Sequence, residues 1–117
     1  MKFTELKIWQ KSHQLALQIY KLTTKLPNCE KYGIISQIQR ASTSIPANIV
    51  EGFGRKGNKE FLQFLYQAKG SLTETEYFLI LIKDLNFINQ TEYEQTINSY
   101  EELAKMLNSF INQLKLK

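Results

Sequence analysis

The chain has 117 residues, 43% of them hydrophobic and 22% charged, with a formal net charge of +4. That is the size of one domain, long enough to bury a core without disulfides or metal. A single cysteine, Cys29, excludes an internal disulfide and points to a reducing compartment.

Strand signals are missing, and the apolar spacing is helical throughout. A first helix is expected from about Thr4, as N-cap, to about Leu26, just before Pro27. Ile8, Ser12, Leu15, Ile19, Leu22 and Leu26 step by four and three on one face. A second strip, Leu6, Trp9, His13, Ala16 and Tyr20, lies beside it. Such a helix suits either a subunit interface or a well-covered core position.

Pro27-Asn28 marks a turn, with Asn28 the expected cap of a second helix starting near Glu30. Ile34, Ile38, Ala41 and Ile45 give its buried face. Pro46 then removes one backbone donor and crowds the carbonyl of Ser42, so a kink is expected there. Ser42, Ser44 and Asn48 are placed to bond the loosened carbonyls or a neighbouring chain. The expected C-terminal cap is Gly52, in a left-handed conformation.

A third helix is expected from the cap Asn58, with Glu60 in its first turn. Its seam is Phe61, Leu65, Ala68, Leu72, Thr75, Leu79 and Ile82, widened by Phe64, Phe78, Leu81 and Leu85. Gly70 in its middle suggests close approach of another helix. Thr91-Glu92-Tyr93-Glu94 reads as the capping box of a fourth helix with the seam Tyr93, Ile97, Tyr100, Ala104, Leu107, Ile111 and Leu114. The fold class is therefore all-α: one domain over residues 1–117, an antiparallel up-down-up-down four-helix bundle with helix two kinked at Pro46.

The first residues, MKFTELKIWQKSHQ, lack the apolar stretch of a secretory signal. No apolar run approaches the roughly 18–20 residues of a membrane span, so the expected location is cytoplasmic. Residues 1–59 carry ten Lys or Arg against three Asp or Glu, and residues 60–117 carry five against eight. The basic half can attract nucleic-acid phosphates, can meet the acidic half of another copy, or can be plain solvated surface.

Catalytic constellations are missing. His13, the only histidine, falls on an apolar side, and Cys29 has no histidine at a telling spacing. Di-metal bundle sites need Glu-x-x-His pairs, which the chain lacks. No catalytic residue, metal or cofactor is expected, and an enzymatic role is not. Gly52-Phe-Gly-Arg-Lys-Gly57 fits neither phosphate-loop pattern, although it precedes a helix N-terminus, where anions bind. Arg55, Lys56 and Lys59 cluster there and, with Arg40, are the candidate nucleic-acid-binding residues; Lys7, Lys11 and Lys21 are further candidates on helix one. Ser44, Pro46, Asn48, Glu51 and Gly52 are the candidate structural residues. Arg40 and Glu51 lie eleven residues apart, on one helical face, and are expected to find partners, preferably across a subunit interface.

The segments Leu6-Lys-Ile-Trp-Gln-Lys, Leu26-Pro27, Glu30-Lys-Tyr-Gly, Ser36-Gln37-Ile38, Arg40-Ala41, Lys59-Glu60-Phe61 and Gly70-Ser71-Leu72, and above all SIPANIVEGFGR, carry a resemblance. Together they resemble the four-helix-bundle family of bacterial proteins encoded in intervening sequences of 23S ribosomal RNA genes, to which the accessory variability proteins of diversity-generating retroelements are similar. The resemblance implies a homopentameric, barrel-like ring of antiparallel bundles. Through the retroelement relatives it implies binding to RNA or DNA and to a reverse transcriptase by basic surfaces. It supplies no molecular activity for the intervening-sequence members themselves. Gln39 stands where the family often has a second arginine beside Arg40, and Val50 replaces a frequent alanine. The lost arginine weakens the nucleic-acid reading more than the assembly reading. The expectation is a non-enzymatic, oligomeric, nucleic-acid-associated adaptor; the alternative is a structural or protein-interaction module that binds no nucleic acid.

Overall fold

The computed structural model describes every residue from Met1 to Lys117. Four helices make up most of it: α1 (Lys7–Thr23), α2 (Ile34–Phe53), α3 (Asn58–Asp84) and α4 (Gln90–Lys115), with single 3-10 turns at Phe3–Glu5 and Asn28–Glu30. The stepped apolar residues supply the core. Ile8, Leu15 and Ile19 of α1, Ile38, Ile45 and Ile49 of α2, Leu65, Leu72, Leu79 and Ile82 of α3, and Ile97, Leu107 and Ile111 of α4 are all buried. Leu103 joins them, although it lies off the expected seam of α4. Each helix packs on the next and α4 closes on α1, while α1 and α3, like α2 and α4, face each other across the core without close backbone approach.

Contacts between helices run in opposite senses along their partners. Gln39, early in α2, reaches Thr23 at the end of α1. Gly52, late in α2, meets Phe61 and Phe64, early in α3. Phe61 touches Phe110 late in α4, whereas Lys83, at the end of α3, lies over Tyr93, early in α4. Lys25 pairs with Glu92 and Lys11 with Glu102, closing α1 against α4. Adjacent helices are therefore antiparallel in space.

Several helix ends differ from the expectation. Thr4 is not a cap: it lies in the first 3-10 turn, its carbonyl accepts from Gln10 Nε2 at 2.9 Å, and α1 starts after Leu6 with no side-chain cap. Leu6 is buried and Phe3 packs edge-on against Trp9 at 5.2 Å, so apolar contact folds this segment back onto α1. Asn28 opens a 3-10 turn, and α2 waits until Ile34. Pro46 does not break α2, which is helical on both sides of it.

Gly52 is not a left-handed cap either. It is helical and buried, and the left-handed glycine is Gly57, at φ 84°, which precedes α3 in place of Asn58 as the N-cap. Asn86, at φ 62°, ends α3; its N–H bonds the Lys83 carbonyl, and that of Phe87 bonds the Ile82 carbonyl, the paired bonds of a Schellman motif. The capping box of α4 sits two residues earlier than expected. Asn89 Oδ1 accepts from the Glu92 N–H at 2.8 Å, and Glu92 Oε1 from the Asn89 N–H at 3.0 Å. Asparagine serves as well as threonine at this position, and Glu92 closes the box three residues on.

Gly70 has nothing within 4 Å of where a β-carbon would stand, so no helix of the same chain approaches it closely. It lies between Tyr66 and Tyr77, both exposed. The second strip of α1 is only half covered: Leu6 and Ala16 are buried, but Tyr20 is exposed, and His13 stacks on Trp9 at 4.9 Å on the surface. No helix is long and apolar enough to cross a membrane.

Candidate nucleic-acid interface

The exit of α2 and the start of α3 form one corner of the bundle. Arg55 Nη2 donates to Glu51 Oε1 at 2.6 Å, one turn back, and the guanidinium lies 5.0 Å from the centre of the Phe64 ring. Within the chain Glu51 thus pairs with Arg55 and not with Arg40. Lys56 and Lys59 are exposed and enter no ion pair. Between them the positive φ of Gly57 turns the chain, and α3 begins with no side chain capping its amides.

The α2 residues behind this corner bond and pack within the chain. Pro46 is buried between Ile45 and Ile49, both fully buried. Asn48 Nδ2 donates to the Ser44 carbonyl at 2.8 Å, and Ser42 Oγ to the Gln39 carbonyl at 3.1 Å. These bonds stay within α2 and use carbonyls other than that of Ser42, which Pro46 leaves without a helical donor. Gly52 allows the closest approach at any of the five glycines: a β-carbon there would lie 2.8 Å from Phe61 Cδ1 and 2.8 Å from Phe64 Cβ. The gap presses α2 against the first turns of α3 and so fixes where Lys56 and Lys59 project.

Arg40 does not belong to this corner. It is exposed on α2, fifteen residues from Arg55, which is about 22 Å along a helix. Its neighbour Gln39, standing where the resemblance led one to expect a second arginine, turns inward; its Nε2 donates to the buried Thr23 Oγ1 at 3.1 Å.

The antiparallel packing brings two further basic segments to the same end. The chain's last turn lies beyond Phe110, which touches Phe61, so Lys115 and Lys117 sit level with the α2–α3 loop. The N-terminal segment packs beside α4, where Glu5, Leu6, Lys7 and Ile8 line a cleft of about 550 Å³ with Met106, Phe110 and Gln113. Residues 1–7, 51–60 and 111–117 together hold seven Lys or Arg and three Glu, a balance of +4 equal to that of the whole chain. The other eight basic and eight acidic side chains cancel. Three of the four ion pairs also lie away from this end. Sequence reasoning missed Lys2, Lys115 and Lys117, although an up-down-up-down chain places both termini and its middle loop at one end.

Titration marks three groups elsewhere. Burial, and secondarily Glu101, raises the Glu76 carboxyl above its ordinary value. Bonds from Lys25 and from the Asn89 backbone lower that of Glu92. Burial pushes the Tyr100 phenol up, and its hydroxyl finds no hydrogen-bond partner. No three His, Cys, Asp or Glu side chains are grouped closely enough to hold a metal ion.

A bundle of this kind, with its basic loop and termini at one end, defines a class of small all-α proteins rather than an activity. The match to known families is specific. The family model of the 23S rRNA-intervening sequence protein matches residues 4–109, and the chain belongs to that family. Among solved structures it is similar to a protein of unknown function from the S23 ribosomal protein family of Bacteroides thetaiotaomicron VPI-5482. The two share 34% identity and a TM-score of 0.82, over 89% of this chain and 97% of the other. No curated protein matches the chain.

Proposed function

We propose that the protein is a non-enzymatic, homo-oligomeric adaptor of the cytoplasm that associates with nucleic acid. The observation that carries this reading is the gathering of the entire net charge at the end holding Lys56 and Lys59. Basic side chains that are exposed and unpaired are the ones free to displace counterions from phosphates. Arg55, fixed by Glu51 and Phe64, would give a directed contact beside them, and Arg40 a separate one on the α2 face. The test is retardation or anisotropy of ribosomal RNA and DNA fragments at low salt. Binding that weakens in Lys56→Gln/Lys59→Gln supports the reading; a pure sample that shifts no fragment ends it.

The assembly proposed is a homopentamer. Two uncovered strips motivate an oligomer: Leu17 and Tyr20 beside the Trp9–His13 stack on α1, and Tyr66, Tyr77 and Ile80 on α3. A patch of this kind on a small protein marks a contact surface. Pro46 would bend α2 to shape the subunit for its ring. Light scattering that gives a stable monomer at micromolar concentration refutes the assembly. A second reading, a protein-interaction module without nucleic acid, is favoured by the inward-turned Gln39 and the Glu51-neutralised Arg55. A reverse transcriptase or another protein would then be the partner, and neutralising Arg55 and Lys56 would change nothing.

A further inference from the structure

We propose that the basic end of the bundle grips double-stranded nucleic acid by its phosphates, in preference to single strands; this rests on the nucleic-acid reading above. Three segments distant in sequence build the surface. Lys2 and Lys7 come from the N-terminus, Lys56 and Lys59 from the α2–α3 corner, and Lys115 and Lys117 from the last turn of the chain and its C-terminus. All six are exposed, and none enters an ion pair. Lysine is a flexible point charge without the planar fork that reads base edges, which suits contact with phosphate of any sequence.

The aromatic side chains decide between the two forms of nucleic acid. Single strands are held by exposed rings on which bases stack, interleaved with the charges. Here the rings near the lysines are engaged. Phe53 meets Phe61, Phe61 meets Phe110, Phe64 is covered by Arg55, and Phe3, Trp9 and His13 on the Lys2–Lys7 side pack on one another. The large apolar side chains exposed at this end are Met1 and Leu116, which have no ring. Of the exposed rings, Tyr66 stands about two turns further along the side of α3, and His13, stacked on Trp9, nearly two turns beyond Lys7 on α1. A duplex keeps the faces of its bases stacked inside and lines its outside with phosphate, so it loses nothing from the missing stacking platform.

The dimensions agree. The bundle is 24 by 20 Å across its long axis, and a duplex carries one charge per about 1.7 Å. A 24 Å face therefore meets on the order of fourteen phosphate charges. About half of them lie on the near side, enough to engage all six lysines.

The test is fluorescence anisotropy on the full chain. The probes are labelled duplexes of about 24 base pairs, in RNA and in DNA, and their unpaired component strands, from about 50 to 200 mM salt. The expected result is duplex binding at least about tenfold tighter than either strand, with a log–log salt slope on duplex DNA of about −5, as six contacts at about 0.9 each require. Lys56→Gln/Lys59→Gln/Lys115→Gln/Lys117→Gln, checked for folding by circular dichroism, should flatten that slope by about 0.9 per contact removed. Lys69→Gln, on the side of α3, should leave it unchanged. Single strands bound as tightly as duplexes overturn the duplex preference and leave the nucleic-acid reading standing. Absence of binding to every probe at the lowest salt overturns both. An equal loss in Lys69→Gln moves the site away from this end.

Discussion

Replacing Gly52 with alanine tests the packing on which the basic corner depends. The added β-carbon would sit 2.8 Å from Phe61 Cδ1, 2.8 Å from Phe64 Cβ and 3.3 Å from the Phe61 carbonyl oxygen. The Phe61 ring can rotate away, but Phe64 Cβ is bonded to the α3 backbone and moves only if the helix moves. That places the strain near the upper end of the usual overpacking cost, about 3 kcal/mol. Alanine recovers about 1 kcal/mol of helix propensity, leaving a net loss of about 2 kcal/mol. For a domain of this size each kcal/mol moves the midpoint by about 4 °C, so Tm should fall by about 8 °C. Thermal and urea denaturation at one fixed protein concentration measure it, since assembly shifts stability by mass action. A variant as stable as the parent, or more so, would refute the claim that a missing side chain sets the α2–α3 distance.

Gly70→Ala is the matched control: with open space around it, alanine should raise stability by about 0.5–1 kcal/mol in the same assay, whereas a loss would place another chain against α3. Tyr100→Phe removes a buried hydroxyl that has no partner; calorimetry should find it as stable as the parent or better by up to about 1 kcal/mol, and a larger loss would reveal a bound water or a hidden acceptor. Glu92 has its pKa lowered in the fold, so its contribution is present above the ordinary carboxylate value and is lost as pH falls below it; Glu92→Gln should flatten the acid limb of the stability profile. Glu76 has the opposite sign, its raised pKa meaning that ionisation opposes folding as pH rises past the ordinary value; Glu76→Gln should be more stable than the parent at pH 7 and indistinguishable from it near pH 3, and a loss at pH 7 would show that the carboxylate has a partner.

Much of the fold was legible because helical burial follows a local rule. Residues three and four apart share a face, so Ile8, Leu15 and Ile19, or Leu65, Leu72 and Leu79, identify themselves as core without knowledge of their partners. Helix ends were less legible. Asn89 and Thr91 are both competent caps, each with a glutamate three positions on, so local sequence does not choose between them; in the fold the box is closed by Asn89 and Glu92. Gly52 was read as a cap and Gly70 as the site of close approach, whereas within the chain the close approach is at Gly52. The sequence shows a glycine but not what stands opposite it, and the neighbour was Phe64 for one and solvent for the other.

The candidate site divides along the same line. The Arg55–Lys59 cluster was visible because its members are neighbours in sequence. Arg40 looked like part of it only because it lies on the same stretch; along the helix it stands about 22 Å away. Lys2, Lys115 and Lys117 looked like ordinary charged termini. By itself the sequence determined four amphipathic helices, their core faces, the family and a basic loop, all of which depend on residues a few positions apart. Only the tertiary structure decided which charges share a surface and which glycine is indispensable. Those depend on how antiparallel helices bring residues dozens of positions apart to one end, and neither periodicity nor composition records such long-range contacts.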